Sequence, residues 1–147
     1  MKILLATAGS RGDVEPFAAL ARRANAEGHH ALLVAPDNSG ADLSGIDGRS
    51  LGVDYSRMIE EQGVSLMATL RSYSSVIRPI MNAVIVEPAR IAYEYRPDVI
   101  VAHPKVLSTS LIAEALGVPH VLVEMVPAMT PTSVFPAAGT ITRTSAS

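Results

Sequence analysis

Apolar residues fall along the chain in short unbroken runs and not in strict alternation with polar ones. Ile3 to Ala6, Ala31 to Ala35, Val99 to Ala102 and Val118 to Val123 are the clearest, the last interrupted by Pro119 and His120. A strand with one wet face alternates, whereas a strand covered by helices on both faces is apolar throughout, as in parallel sheets. The runs therefore predict buried parallel strands and an α/β fold. A weaker strand, Leu51 to Tyr55, follows the turn-rich segment Asn38 to Ser50, where Gly40, Gly45 and Gly48 leave room only for a short helix.

Between the strands the spacing becomes helical. Val14, Phe17, Ala18, Leu20, Ala21 and Ala24 predict a helix over Val14 to Glu27, closed by Gly28 where a left-handed residue ends a helix. Met58 to Tyr95 is a long insertion with two helical patterns: Val64, Met67, Ala68 and Leu70 in one, Ile77, Ile80, Val84, Ile91 and Tyr95 in the other. Pro88 lacks the amide that would bond Val84, so the second helix is expected to kink or break there. Val106 to Leu116, closed by Gly117, predicts the helix before the last strand. Pro127 to Ser147 has no period, and residues 139–147 read as a frayed tail after a domain spanning 1–138.

Right-handed crossovers arrange these strands as a Rossmann-like parallel sheet of order 3-2-1-4-5 with helices on both faces. A crevice then opens outside the carboxyl ends of the first and fourth strands, where a ligand is expected. Four segments supply those ends: Thr7 to Asp13, Ala35 to Asn38, Ala102 to Lys105 and Glu124 to Thr130.

Composition removes several classes of function. At 147 residues and 48% hydrophobic against 18% charged, the chain can build one core and is not a disordered polypeptide. Its net charge of −2 and its four Tyr, two Phe and no Trp offer neither a basic stripe nor a stacking platform for nucleic acid. The absence of Cys excludes disulfides, thiolate metal sites and a cysteine nucleophile, and is compatible with a cytoplasmic location. No apolar run approaches the roughly 20 residues of a membrane-spanning helix.

The chemistry concentrates in Ala6-Thr7-Ala8-Gly9-Ser10-Arg11-Gly12-Asp13-Val14-Glu15-Pro16, which joins the first strand to the first helix. Gly9 and Gly12 allow close backbone approach to a ligand, and the free amides of a helix N-terminus favour an anion. A dinucleotide fingerprint is one alternative, with Asp37 as the ribose-binding acid. Arg11 stands where that fingerprint wants its second glycine, and Glu15 would repel a pyrophosphate.

The GSRGD-V-x-P loop after an MKILLAT strand resembles the N-terminal domain of GT-B glycosyltransferases, in particular family 28 with its sterol- and antibiotic-modifying relatives. Arg96 to Pro104, Ala113 to His120 and Pro127 to Pro136 look like further parts of that domain. The resemblance implies an inverting, metal-independent transfer of a sugar from a nucleotide diphosphate sugar to the hydroxyl of a small lipid-like or natural-product acceptor, without a cofactor. It implies an acceptor-binding N-terminal half of the GT-B fold, incomplete at Ser147, with the donor held mainly by a C-terminal domain supplied in cis or in trans. Alone, such a chain is expected to be inactive. A non-catalytic module that pairs with a separate C-terminal chain is a further alternative.

Within that pattern Asp13 is the candidate general base, needed because an alcohol is a poor nucleophile near neutral pH. No His lies between Met1 and Gly28, so Asp13 is expected to act alone. Capping of the first helix is its competing role, weakened by Pro16, which has no amide to receive a bond. By analogy Gly9, Ser10, Arg11 and Gly12 approach the donor phosphate or sugar. As ordinary local structure, Ser10 is a turn residue and Arg11 a solvated charge. His103 and Glu124, at the ends of the fourth and fifth strands, are placed to touch the acceptor. His29, His30, His120 and Asp98 lie at the opposite edge or at strand starts and are not expected in the site. Met58, Met67, Met81, Met125 and Met129 suit either an apolar acceptor groove or core filling.

Overall fold

The computed structural model describes residues 1–54 and 78–125. Five parallel strands lie in the order β3-β2-β1-β4-β5. In chain order the elements are β1 (Lys2–Ala6), α1 (Arg11–Ala26), β2 (His30–Asp37), β3 (Asp47–Asp54), α2 (Arg78–Tyr95), β4 (Val99–Ala102), α3 (Thr109–Leu116) and β5 (His120–Leu122). The expected topology and sheet order are those observed. The helix expected around Val64 to Leu70, residues Met58, Met67 and Met129, and the 138/139 boundary lie outside the described residues.

The pleat explains why the runs are unbroken. Leu5, Leu33 and Ala35 point to one face and pack on Val14, Phe17, Ala18 and Ala21 of α1. Their neighbours Leu4, Ala6, Leu32 and Val34, with Ile100 and Ala102, point to the other face and pack on Val84, Ile91 and Ala92 of α2 and Ile112 and Ala113 of α3. Leu4, Leu5 and Ala6 are each fully buried, so these consecutive positions of β1 are apolar whichever face they point to.

β3 begins at Asp47, four residues before the expected start. It is an edge strand, and its first half, Asp47 to Ser50, is exposed while pairing with Leu32 to Ala35. Its early part is defined by main-chain bonds alone and carries no apolar signature. The other edge, β5, exposes Val121 and Leu122, and Leu107 ahead of α3 and Leu111 within it are exposed too.

α2 runs from Arg78 to Tyr95 through Pro88 without a break, so of the expected kink or break the break does not occur. The Val84 carbonyl, which the missing amide of Pro88 would have bonded, accepts instead from the buried Ser108 Oγ at 3.2 Å. That bond also ties α2 to the turn before α3. Gly117 closes α3 in the left-handed conformation, φ 66° and ψ 33°, as its position predicts.

α1 also starts earlier than the apolar spacing indicates, at Arg11 instead of Val14. Its first turn is therefore the Ser10 to Asp13 loop itself, and Asp13 sits inside the helix, three residues past the capping position of Ser10.

Candidate functional site

β1 and β4 are neighbours with Ala6 opposite Ala102, so their carboxyl ends release the chain side by side in opposite crossover directions. The His103 amide donates to the Ala6 carbonyl at 2.8 Å, extending this pairing by one step and fixing His103 beside the loop that leads into α1. This is the switch point of the sheet.

The Asp13 carboxylate is built into that point from three directions. Its Oδ2 accepts the Ser10 main-chain amide at 2.9 Å, with Ser10 Oγ at 3.4 Å. The buried Thr7 hydroxyl donates to the Asp13 carbonyl at 2.8 Å and holds its backbone against the end of β1. Gly9, at φ +132°, gives the carboxylate its space, because a Cβ there would overlap Oδ2 and stand 2.6 Å from Cγ. A Cβ at Gly12 would meet nothing within 4 Å, so no contact in the described structure demands glycine at that position.

The lack of a His between Met1 and Gly28 left Asp13 expected to act alone, but the fold sets two basic side chains from the other side of the crevice against it. His103 Nε2 stands 3.4 Å from Asp13 Oδ1, and Lys105 Nζ stands 3.0 Å from both carboxylate oxygens. The Lys105 main-chain amide donates to His103 Nδ1 at 3.1 Å, so the neutral ring carries its proton on Nε2, the nitrogen facing the carboxylate. The Phe17 ring meets the imidazole edge-on, with centroids 6.3 Å apart. Side-chain exposure falls from 51% at Lys105 to 17% at Asp13 and 8% at His103, which orders the three from solvent to core.

Burial alone pushes the Asp13 pKa up, but the Lys105 and Ser10 hydrogen bonds and the charges of Lys105 and His103 hold it below the ordinary carboxylate value of 3.8. Burial of the His103 ring drives its pKa below 6.5. Asp13 opposes this, Lys105 adds to it, and Glu124 opposes it again. At neutral pH the cluster thus pairs an ionised Asp13 with a neutral His103.

Asp13, His103, Pro104, Lys105, Leu107, Glu124 and Met125 line a cavity of about 310 Å³. Asp13, His103, Lys105 and Glu124 bring four ionisable side chains to its lining, and Pro104, Leu107 and Met125 offer apolar surface. A larger cavity, about 520 Å³, lies elsewhere, between the first residues of β3 and the last turn of α2, and contains none of these groups. Chemistry, not size, identifies the site.

Of the residues singled out in the sequence, the structure gathers Gly9, Ser10, Asp13, His103 and Glu124. Arg11 points away and pairs with Glu15 at 3.4 Å, and Gly12 is exposed at the first turn. Met125 lines the cavity, whereas Met81 is exposed on α2. Asp98 takes the Lys2 amide at 2.7 Å at the amino end of the sheet, and His120 meets Thr109 Oγ1 at 3.1 Å. Lys105 and Thr7 were not singled out. Lys105 ends one of the four crevice segments, which is the one signal that could have drawn attention to it.

A parallel sheet of this order, with its polar cluster between the first and fourth strands, is the N-terminal architecture of GT-B glycosyltransferases. The glycosyltransferase SnogD from Streptomyces nogalater superimposes with a TM-score of 0.58 at 23% identity, over 87% of this chain and 34% of that one. The glycosyltransferase VinC in complex with dTDP gives 0.62 at 19% identity, over 85% and 35%. The glycosyltransferase family 28 N-terminal domain matches residues 3–136, and the chain belongs to that family. A sterol 3-beta-glucosyltransferase of Arabidopsis thaliana is 30% identical over 92% of this chain and 24% of its own length. One of Neurospora crassa is 30% identical over 82% of this chain and 8% of its own. The chain thus spans a quarter or less of these relatives. Family membership replaces the dinucleotide-binding alternative. Among the described residues no helix is long and apolar enough to cross a membrane.

Proposed function

We propose that this chain is the acceptor-side part of an inverting glycosyltransferase, with Asp13 as the general base. The acceptor hydroxyl would enter the 310 Å³ cavity and give its proton to Asp13. As it does so, its oxygen bonds to the anomeric carbon and the bond from that carbon to the nucleotide diphosphate breaks, the electron pair leaving with the diphosphate. No metal or cofactor takes part. His103, protonated on Nε2, holds the carboxylate in place from the buried side.

The observation that carries this reading is an ionised, partly buried carboxylate facing an apolar cavity at the sheet's switch point. The sterol glucosyltransferases among the relatives support an apolar alcohol as acceptor, and the dTDP bound to VinC supports a nucleotide diphosphate donor. Groups that bind the donor and stabilise the leaving diphosphate would belong to a second domain, in cis or in trans, since the chain spans 24% of the Arabidopsis relative.

The test is Asp13→Asn in the enzyme with its donor domain present, followed by sugar transfer to a sterol. General-base catalysis is worth about 10² to 10⁴ in rate, so kcat should fall by that order with sterol affinity retained. An unchanged kcat would overturn the assignment.

A further inference from the structure

Asp13 has no vacancy for a proton in the structure described. A carboxylate offers about four lone-pair directions. Oδ2 is engaged by the Ser10 amide at 2.9 Å, by Ser10 Oγ at 3.4 Å and by Lys105 Nζ at 3.0 Å, and Oδ1 by Lys105 Nζ at 3.0 Å and His103 Nε2 at 3.4 Å. For an acceptor hydroxyl to deliver its proton, one of these donors has to leave.

The four donors differ in how they are anchored. The Ser10 hydroxyl, at 3.4 Å, makes a weak contact, and turning it away leaves Oδ2 still bonded to the Ser10 amide and to Lys105 Nζ. The Ser10 amide is main chain at the start of α1 and cannot move without unwinding the helix. His103 is buried, braced by the Lys105 amide on Nδ1 and by the Phe17 ring. The Lys105 ammonium sits at the end of a flexible four-carbon stem, half exposed, and lines the same cavity as the carboxylate it bonds. Among the amide, the imidazole and the ammonium, the half-exposed ammonium is the least costly to remove.

We infer that Lys105 is a removable cap on Asp13: with the cavity empty its ammonium covers both carboxylate oxygens, and the acceptor hydroxyl displaces it to reach the base. Lys105 is then a positioning residue that acts through Asp13. Its departure removes a positive charge from the carboxylate at the moment a proton has to be taken up, so the base strengthens only when an acceptor is present. This rests on the assignment of Asp13 as base. The groups facing the carboxylate are His103 and Lys105 from the turn after β4 and Ser10 from the start of α1, with Glu124 after β5 acting on His103.

Two measurements test it. Carbon-detected NMR titration of the Asp13 carboxyl in the 147-residue chain should show the midpoint rising in Lys105→Met and holding near the parent value in Lys105→Arg, with the amide spectrum of both variants native. A midpoint unmoved in Lys105→Met, or a collapsed amide spectrum that marks Lys105 as a brace of the fold, overturns the cap. In the enzyme with its donor domain, the acid limb of kcat/KM reports the free enzyme and that of kcat the acceptor-bound one. Lys105→Met should move the first limb to higher pH and leave the second in place. If both limbs move, Lys105 stays on Asp13 with acceptor bound and displacement is wrong, and if neither moves the cap is absent. The NMR result does not depend on catalysis, so loss of the base assignment through an active Asp13→Asn enzyme is distinguishable from loss of the cap.

Discussion

Ser108 and Val84 are joined across two elements by a hydrogen bond of 3.2 Å, and the bond occupies the one carbonyl of α2 that Pro88 leaves without its helical partner. A proline inside a helix is tolerated when another donor supplies the lost bond. Here that donor is a buried side chain ahead of α3, so the same interaction repairs one helix and docks it to the next.

Replacing Ser108 with Ala leaves the Val84 carbonyl buried and unbonded, which should cost about 1 to 3 kcal/mol in urea unfolding. In a Pro88→Ala background the restored amide reaches Val84, and the same Ser108→Ala change should cost clearly less. Equal costs in both backgrounds would show that the two residues are not coupled.

Gly9→Ala places a methyl group on the Asp13 carboxylate and holds an alanine at φ +132°. Displacement of a catalytic group by about 1 Å can cost on the order of 10²-fold in rate, so transfer by the two-domain enzyme should fall by at least that factor. Gly12→Ala, where a Cβ meets nothing, should leave the Asp13 titration unchanged in the NMR experiment.

His103 makes the fold sensitive to mild acid. Its pKa is lower in the folded chain than the ordinary 6.5, so the unfolded chain binds the extra proton first as pH falls. Its contribution to stability is complete above about pH 6.5 and is lost as pH falls from there through the lowered folded value. Asp13, also lowered, adds a second loss as pH falls below about 3.8 through its own folded value. Urea midpoints measured between pH 7 and 5 should therefore decline in the parent chain and decline less in His103→Gln.

The 147-residue chain alone should transfer no sugar from a nucleotide diphosphate donor to a sterol, and adding a donor-binding domain in trans should restore transfer. Turnover by the isolated chain, followed by release of labelled sterol glycoside, would contradict the division of labour proposed above.

The buried part of the sheet was legible because strands covered on both faces have to be apolar at every position, as Leu4, Leu5 and Ala6 show. Once the strand order followed, so did the meeting of Asp13 with the end of β4. What escaped notice is held by main-chain bonds or by polar groups far apart in sequence. The first half of β3 has no apolar residue to announce it. The first turn of α1 is polar, so its true start left no trace in the hydrophobic spacing. The Lys105 contact with Asp13 spans 92 positions, and a lysine in a turn looks like any solvated charge until the fold closes. The strand order also put His103 at the same crevice, as a contact for the acceptor, without showing that its ring stands against Asp13.

One oxygen of Asp13 both secures the opening turn of α1 and belongs to the group assigned the proton. Architecture and reactivity therefore share one carboxylate, and the amide of Ser10 keeps its hold on the helix while the proton is exchanged at the same group. Anyone seeking to exchange this base for a histidine would have to provide the helix with a new beginning as well.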